Sequence, residues 1–163
     1  MRSSHVVLAA ALALALSVAP RSVSAIELTA FVSTGFPSES WGTGVGGDVT
    51  ITLLKLLAFS GELARQGSEV DSSMTSVTGS VLLVAPLPAF SVYGGVGVGG
   101  FRQGRASGVA DSDWGVHRVL VVGVKKTFEG ILVLKAEYRR VHLSGDPLLP
   151  LDHRASVGVG LSL

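Results

Sequence analysis

The sequence predicts an all-β chain, an eight-stranded antiparallel up-and-down β-barrel, and three observations predict it. After Ile26 hydrophobicity alternates with a period of two and not the helical period of about 3.6. Gly-, Pro- or polar-rich points break that alternation into eight segments, an even number. The connections between the segments alternate between long polar stretches and short turns.

A leader precedes the first segment. Met1-Arg2 is followed by an apolar run from Val6 to Ala19 and a small-residue exit, Val23-Ser24-Ala25. A positive start, a short apolar core and a small-x-small exit are the parts of a secretory signal, so residues 1–25 are expected to be removed after Ala25. The competing reading, a membrane anchor, needs roughly 18 or more apolar residues, and the run is shorter. Residues 26–163 then form one domain. Losing Arg2 and Arg21 takes the 13 Lys+Arg to 11, against 12 Asp+Glu. That near neutrality argues against a nucleic-acid partner, which needs a basic face. The absence of Cys excludes a disulfide framework, a thiolate metal site and a lipidated cysteine.

The elements follow in order. Segment 26–35 leads into a long connection, Phe36 to Trp41. Segment 42–54 sets Val45, Val49, Ile51 and Leu53 opposite Gly44, Gly46, Asp48, Thr50 and Thr52, and Leu54 to Leu57 turns it back. Segment 57–67 ends in the polar stretch Gly67 to Thr75. Segment 75–85 ends at Pro86 to Pro88, which cannot continue a ladder. Segment 89–104 precedes Gly104 to Asp113, and segment 114–127 precedes the short Thr127 to Gly130. Segment 131–143 places Leu132, Leu134, Ala136 and Tyr138 opposite Val133, Lys135, Glu137 and Arg139. After Ser144 to Asp152, segment 153–163 places Ala155, Val157, Val159, Leu161 and Leu163 opposite Ser156, Gly158, Gly160 and Ser162.

Among the residues quoted for these strands the apolar ones share one face and the charges lie on the other. A soluble ligand-binding barrel inverts this arrangement. The charged face is therefore the lumen of a transmembrane barrel or, on the blander reading, the surface of a sandwich. Each segment has about the 9 to 11 residues that a tilted strand needs to cross a bilayer, and long loops on one rim with short turns on the other complete the membrane pattern. Aromatic girdles are expected from Phe59, Phe90 and Phe128 at the short-turn rim and Phe36, Trp41, Phe101 and Trp114 at the long-loop rim.

Through WGTGVGGDVTITL, FSVYGGVGVGGFRQ, LKAEYRR and RASVGVGLSL the chain resembles the small eight-stranded outer-membrane barrels, the broad family that includes the OmpA transmembrane domain and OmpX. The resemblance implies a bacterial outer-membrane location and a monomeric or weakly associating barrel. It implies a structural, surface-interaction or at most narrow-pore role. It also implies that Ser156, Gly158, Leu161 and Leu163 form the C-terminal signal read by the barrel-assembly machinery, with Leu163 where the family usually has an aromatic residue. Outer-membrane lipid is the expected surrounding partner; the surface ligand stays open.

Parity places Asp48, Glu62, Lys125, Lys135, Glu137, Arg139 and Arg154 in the lumen. Charges in so narrow an interior are costly unless paired, so an ion-pair and water network is expected. The resemblance allows a gate; a filled, internally satisfied lumen is the simpler reading, because eight strands enclose little more than their own side chains. An enzymatic alternative rests on His142-Leu143-Ser144. Some barrels of this kind act on lipid A, and one deacylase group carries a His-x-Ser pair near the top of the seventh strand. Residues i and i+2 share a face, so His142 could activate Ser144, with Asp152 a candidate orienting acid. The continuation Gly145-Asp146-Pro147 departs from that group, and the non-enzymatic reading is preferred. His142 and His153 lack a third ligand for a metal. GVGGD and GGVGVGGF open no helix and so bind no phosphate. No cofactor is expected.

Overall fold

The computed structural model describes residues 23–36, 41–53, 55–68, 72–105, 114–144 and 151–163. They form a closed barrel of eight strands: β1 (Val23–Phe36), β2 (Thr43–Leu53), β3 (Leu57–Gly67), β4 (Ser72–Pro86), β5 (Ser91–Arg105), β6 (Gly115–Phe128), β7 (Leu132–Ser144) and β8 (His153–Ser162). Each strand pairs antiparallel with the next, and β8 closes on β1 through Glu27–Ser162 to Phe36–His153. The fold class read from the sequence is the one observed. Most of the expected leader lies outside the described residues; β1 starts at Val23 and its register with β2 shifts between Val23 and Ala25.

The stagger sets the barrel's width. Registered partners followed once round from Ile26 run through Ile51, Phe59, Val81, Val96, Leu120, Arg140 and His153 and return to β1 at Phe36, ten residues on. With about 3.3 Å per residue and about 4.8 Å between strands, this stagger tilts the strands by about 40° and gives a backbone radius of about 8 Å. Side chains alone fill such a bore.

Burial follows the period of two. β7 alternates exposed and buried from Leu132 to Arg140. Outward residues such as Leu63, Leu83, Val96 and Val157 are exposed, as a wall facing hydrocarbon requires and a water-soluble surface would not tolerate.

The inward face works by pairing large side chains with glycines. Phe31 stands opposite Gly46 on β2 and Gly158 on β8, Tyr93 opposite Gly123, Phe101 opposite Gly115, and His117 opposite Gly99. A Cβ on any of these glycines would collide with the ring across from it or with neighbouring backbone. Gly46, Gly99, Gly115 and Gly123 are sockets for neighbouring rings.

The lower rim carries the turns at 54–56, 87–90 and 129–131. In the last, Glu129 and Gly130 both have positive φ (50° and 74°), and the Ile131 N–H donates to the Phe128 carbonyl at 3.0 Å, the pattern of a type I′ hairpin. The upper rim carries the connections 37–42, 68–71, 106–114 and 145–152. The second of these is shorter than the sequence suggested. Ser72 to Met74 extend β4, pairing with both Gln66 and Gln103 at Met74 and burying Ser72 and Met74. Serines that looked like loop are ladder, so the alternation of connection lengths is less strict than it reads.

Candidate functional site

The lumen holds a chain of alternating charges. Asp48 on β2 pairs with Lys135 on β7 at 2.8 Å, Lys135 lies 3.5 Å from Glu137, and Glu137 accepts from Arg139 Nε at 2.5 Å. Arg139 reaches Glu62 on β3 at 2.8 Å, and Arg154 on β8 donates to both Glu62 oxygens at 2.6 and 2.7 Å. Tyr93 donates its hydroxyl to Glu137 at 2.9 Å, and Thr50 donates to Asp48 at 3.0 Å. Since β7 is not a neighbour of β2 or β3 in the sheet, these bonds cross the bore. Lower down, Lys125 pairs with Glu27 at 2.5 Å.

Parity in the sequence named seven of these charges; Glu27 is the one it missed. Its signal was present, because Ile26, Leu28, Ala30 and Val32 alternate with Glu27, Thr29, Phe31 and Ser33. With Glu27 included, the inward charges of the described residues are four acids and four bases, each held by an opposite partner. Buried charges persist only when paired in this way.

Apolar and amide side chains close the bore above and below the charges. Trp41, Leu151, Met74 and Phe101 are buried at the upper end, with Gln66 and Gln103 among them. Ser33 donates to Gln66 at 3.0 Å, and Gln66 donates to the Gly42 carbonyl at 2.5 Å. At the lower end Ala58, Leu82, Val84 and Val133 are buried. Trp41 and Phe101 thus depart from the girdle expected of them. Phe101 has inward parity on β5, and Trp41 folds over the bore from its connection, whereas Phe36 and Trp114 do face outward. Two internal cavities of about 10 Å³ each remain, one lined by Glu62, Thr78, His117, Arg139 and Arg154, the other by Glu27, Thr50, Tyr93 and Lys125. Each has the size and polarity to take a single water.

On the outside, His142 and Ser144 are exposed at the upper end of β7. Their register partners are Arg118 and Val116. Asp152 meets β7 through its carbonyl, which accepts from the Val141 N–H at 2.7 Å. His153 is held elsewhere, its Nδ1 2.8 Å from the Tyr138 hydroxyl and its ring stacked on Tyr138. Among the described residues no group of three His, Cys, Asp or Glu is placed to hold a metal.

A family model described as Outer membrane protein beta-barrel domain matches residues 6–162. The chain belongs to this family. The outer-membrane barrel resembles solved structures over nearly its whole length. Neisserial surface protein A matches with a TM-score of 0.68 at 14% identity, over 86% of this chain and 98% of the other. The N-terminal barrel of Pseudomonas aeruginosa OprF matches with a TM-score of 0.59 at 17% identity, over 86% and 98%. Ail, the attachment invasion locus protein of Yersinia pestis, matches with a TM-score of 0.53 at 12% identity, over 85% and 98%. No curated protein is similar enough in sequence to count as a relative. In the outer-membrane barrel the C-terminal residues are built into the seam: Gly158 packs against the β1 backbone and the Phe31 Cβ, Leu161 and Leu163 face outward, and the Leu163 N–H donates to the Ile26 carbonyl at 2.8 Å.

Proposed function

We propose that this chain is a non-enzymatic outer-membrane barrel whose upper rim is an interaction surface at the cell exterior. In this reading residues 1–25 are a leader removed on export, and the barrel-assembly machinery reads Ser156, Gly158, Leu161 and Leu163. The product is a monomer surrounded by outer-membrane lipid. The observation that carries it is the crossed, charge-balanced lumen closed at both ends, which leaves the rim connections as the place where specificity can reside. Ail has also been solved in complex with the heparin analogue sucrose octasulfate, which favours surface interaction over a purely structural role. Membrane fractionation with heat-modifiable gel mobility tests the placement, and an epitope inserted between Ala106 and Asp113 tests the orientation. The epitope should be labelled on intact cells; labelling only after lysis would reverse the barrel, and a soluble product would end the proposal.

A second reading, a lipid A deacylase using His142 and Ser144, is favoured by the exposure of both residues at the upper end of β7. Mass spectrometry of lipid A from cells with and without the protein decides between them. Unchanged lipid A is expected; a deacylated product that disappears in Ser144→Ala would replace the binding role with a hydrolytic one.

A further inference from the structure

The outward face of β6, β7 and β8 joins two features that neither the lumen nor the rim connections use. The first is cationic. Arg118, Arg140 and His142 are exposed near the upper ends of their strands, with His153 half-buried beside them. Register makes them one patch, because Arg118 is the cross-strand partner of His142 and Arg140 that of His153. Directly opposed residues stand about 5 Å apart at Cβ, and Arg140 and His142 share a face two residues apart. Tyr138 fixes the His153 ring by stacking at 5.6 Å and by its hydroxyl contact. Among the described residues the ion pairs leave Arg118 and Arg140 uninvolved.

The second feature is apolar. Toward the lower rim the same strands bear an open groove of about 690 Å³, walled by Val122, Ala136, Tyr138, Ala155 and Val157 and bounded by Val32 on β1. Small outward side chains at Ala136 and Ala155 hollow the wall between larger neighbours. Val122, Ala136 and Val157 are each four residues from Arg118, Arg140 and His153 respectively, so the groove lies directly beneath the cations.

In a barrel set in lipid, the apolar wall meets acyl chains and its upper edge meets head groups. Guanidinium forks match phosphate oxygens with paired, charge-assisted hydrogen bonds, and a groove lined by valine and alanine matches hydrocarbon. We propose that this face binds a phosphorylated, multiply acylated lipid of the outer leaflet, the chemistry of lipid A. Arg118 and Arg140 hold its phosphate, and the groove takes an acyl chain. The lower rim has a smaller groove of about 430 Å³ whose outward cation, Lys126, lies over the Phe128 ring at 4.9 Å. The site is independent of what the rim connections bind and requires only a barrel in the membrane.

The experiment is lipid binding to the purified full barrel in detergent micelles, followed by native mass spectrometry, with heat-modifiable mobility read on every sample to report folding. The probes are bisphosphorylated lipid A, enzymatically dephosphorylated lipid A, and inorganic phosphate as competitor. Wild type should retain bisphosphorylated lipid A. The double variant Arg118→Gln, Arg140→Gln should bind it about tenfold or more weakly, the loss of a charge-assisted contact, while Lys126→Gln binds as wild type. Asp152→Asn, which removes a neighbouring negative charge, should hold or raise affinity. Any of three results overturns the proposal: equal binding by the folded double variant, equal binding of dephosphorylated lipid A, or complete displacement by millimolar phosphate. Persistence of surface epitope labelling in the double variant keeps this outcome separate from that of the rim's role.

Discussion

Glu137 sits at the centre of the lumen network, accepting from Tyr93 and Arg139 and lying 3.5 Å from Lys135. Removing it leaves two buried cations short of a partner, so Glu137→Ala should cost about 3–5 kcal/mol. Urea unfolding of the barrel in lipid bilayers measures this; a loss below about 1 kcal/mol would mean that water already screens the network. The Glu27–Lys125 pair gives the complementary case. Lys125→Met alone strands Glu27 and should destabilise, whereas Glu27→Met with Lys125→Met should be near neutral in the same titration, because both charges leave together. These residues were largely legible in the sequence because inward parity is a local property. Glu27 has the same parity but stands at the very start of the first segment, beside the expected leader. Gln66, Gln103 and His117 share the inward parity, but what they touch depends on the strands across the bore.

At the scale of the element, strands were legible because a period of two survives in every one, and because turns are written in Gly, Pro and polar residues. Register was not, since it depends on which strand lies opposite. The pairing of rings with glycines is therefore invisible until strands are aligned: Tyr93 and Gly123 are thirty residues apart in the chain and direct partners in the sheet. A Cβ at Gly123 meets the Tyr93 ring and hydroxyl, the same hydroxyl that donates to Glu137. Gly123→Val should thus cost about 1–3 kcal/mol or more by overpacking. Gly61→Val, on the exposed face with no atom within 4 Å of the added Cβ, should cost nothing or stabilise slightly through strand propensity. Bilayer unfolding of Gly123→Val with and without Tyr93→Ala should show a coupling above about 0.5 kcal/mol. Additive costs would place the strain elsewhere in the wall. The same dependence on alignment explains β4, whose serine-rich start reads as loop and is ladder because both β3 and β5 reach it.

For the whole molecule, the stagger and the composition of the bore act together. A backbone radius of about 8 Å leaves room for little beyond the side chains, and the bore holds apolar plugs at both ends around a neutral set of crossed ion pairs. A permeating ion would have to break those pairs and displace Trp41 or Leu151 above and Leu82 or Val84 below. The barrel reconstituted in a planar bilayer should therefore show no steady single-channel current under an applied voltage. Shortening the upper plug by Trp41→Ala should leave it closed, because the charged layer and the lower plug remain. Steady conductance in wild type would require the lumen network to open as a unit. In that case Glu137→Ala, which weakens that layer, should raise the current while leaving the outward face and its lipid binding unchanged.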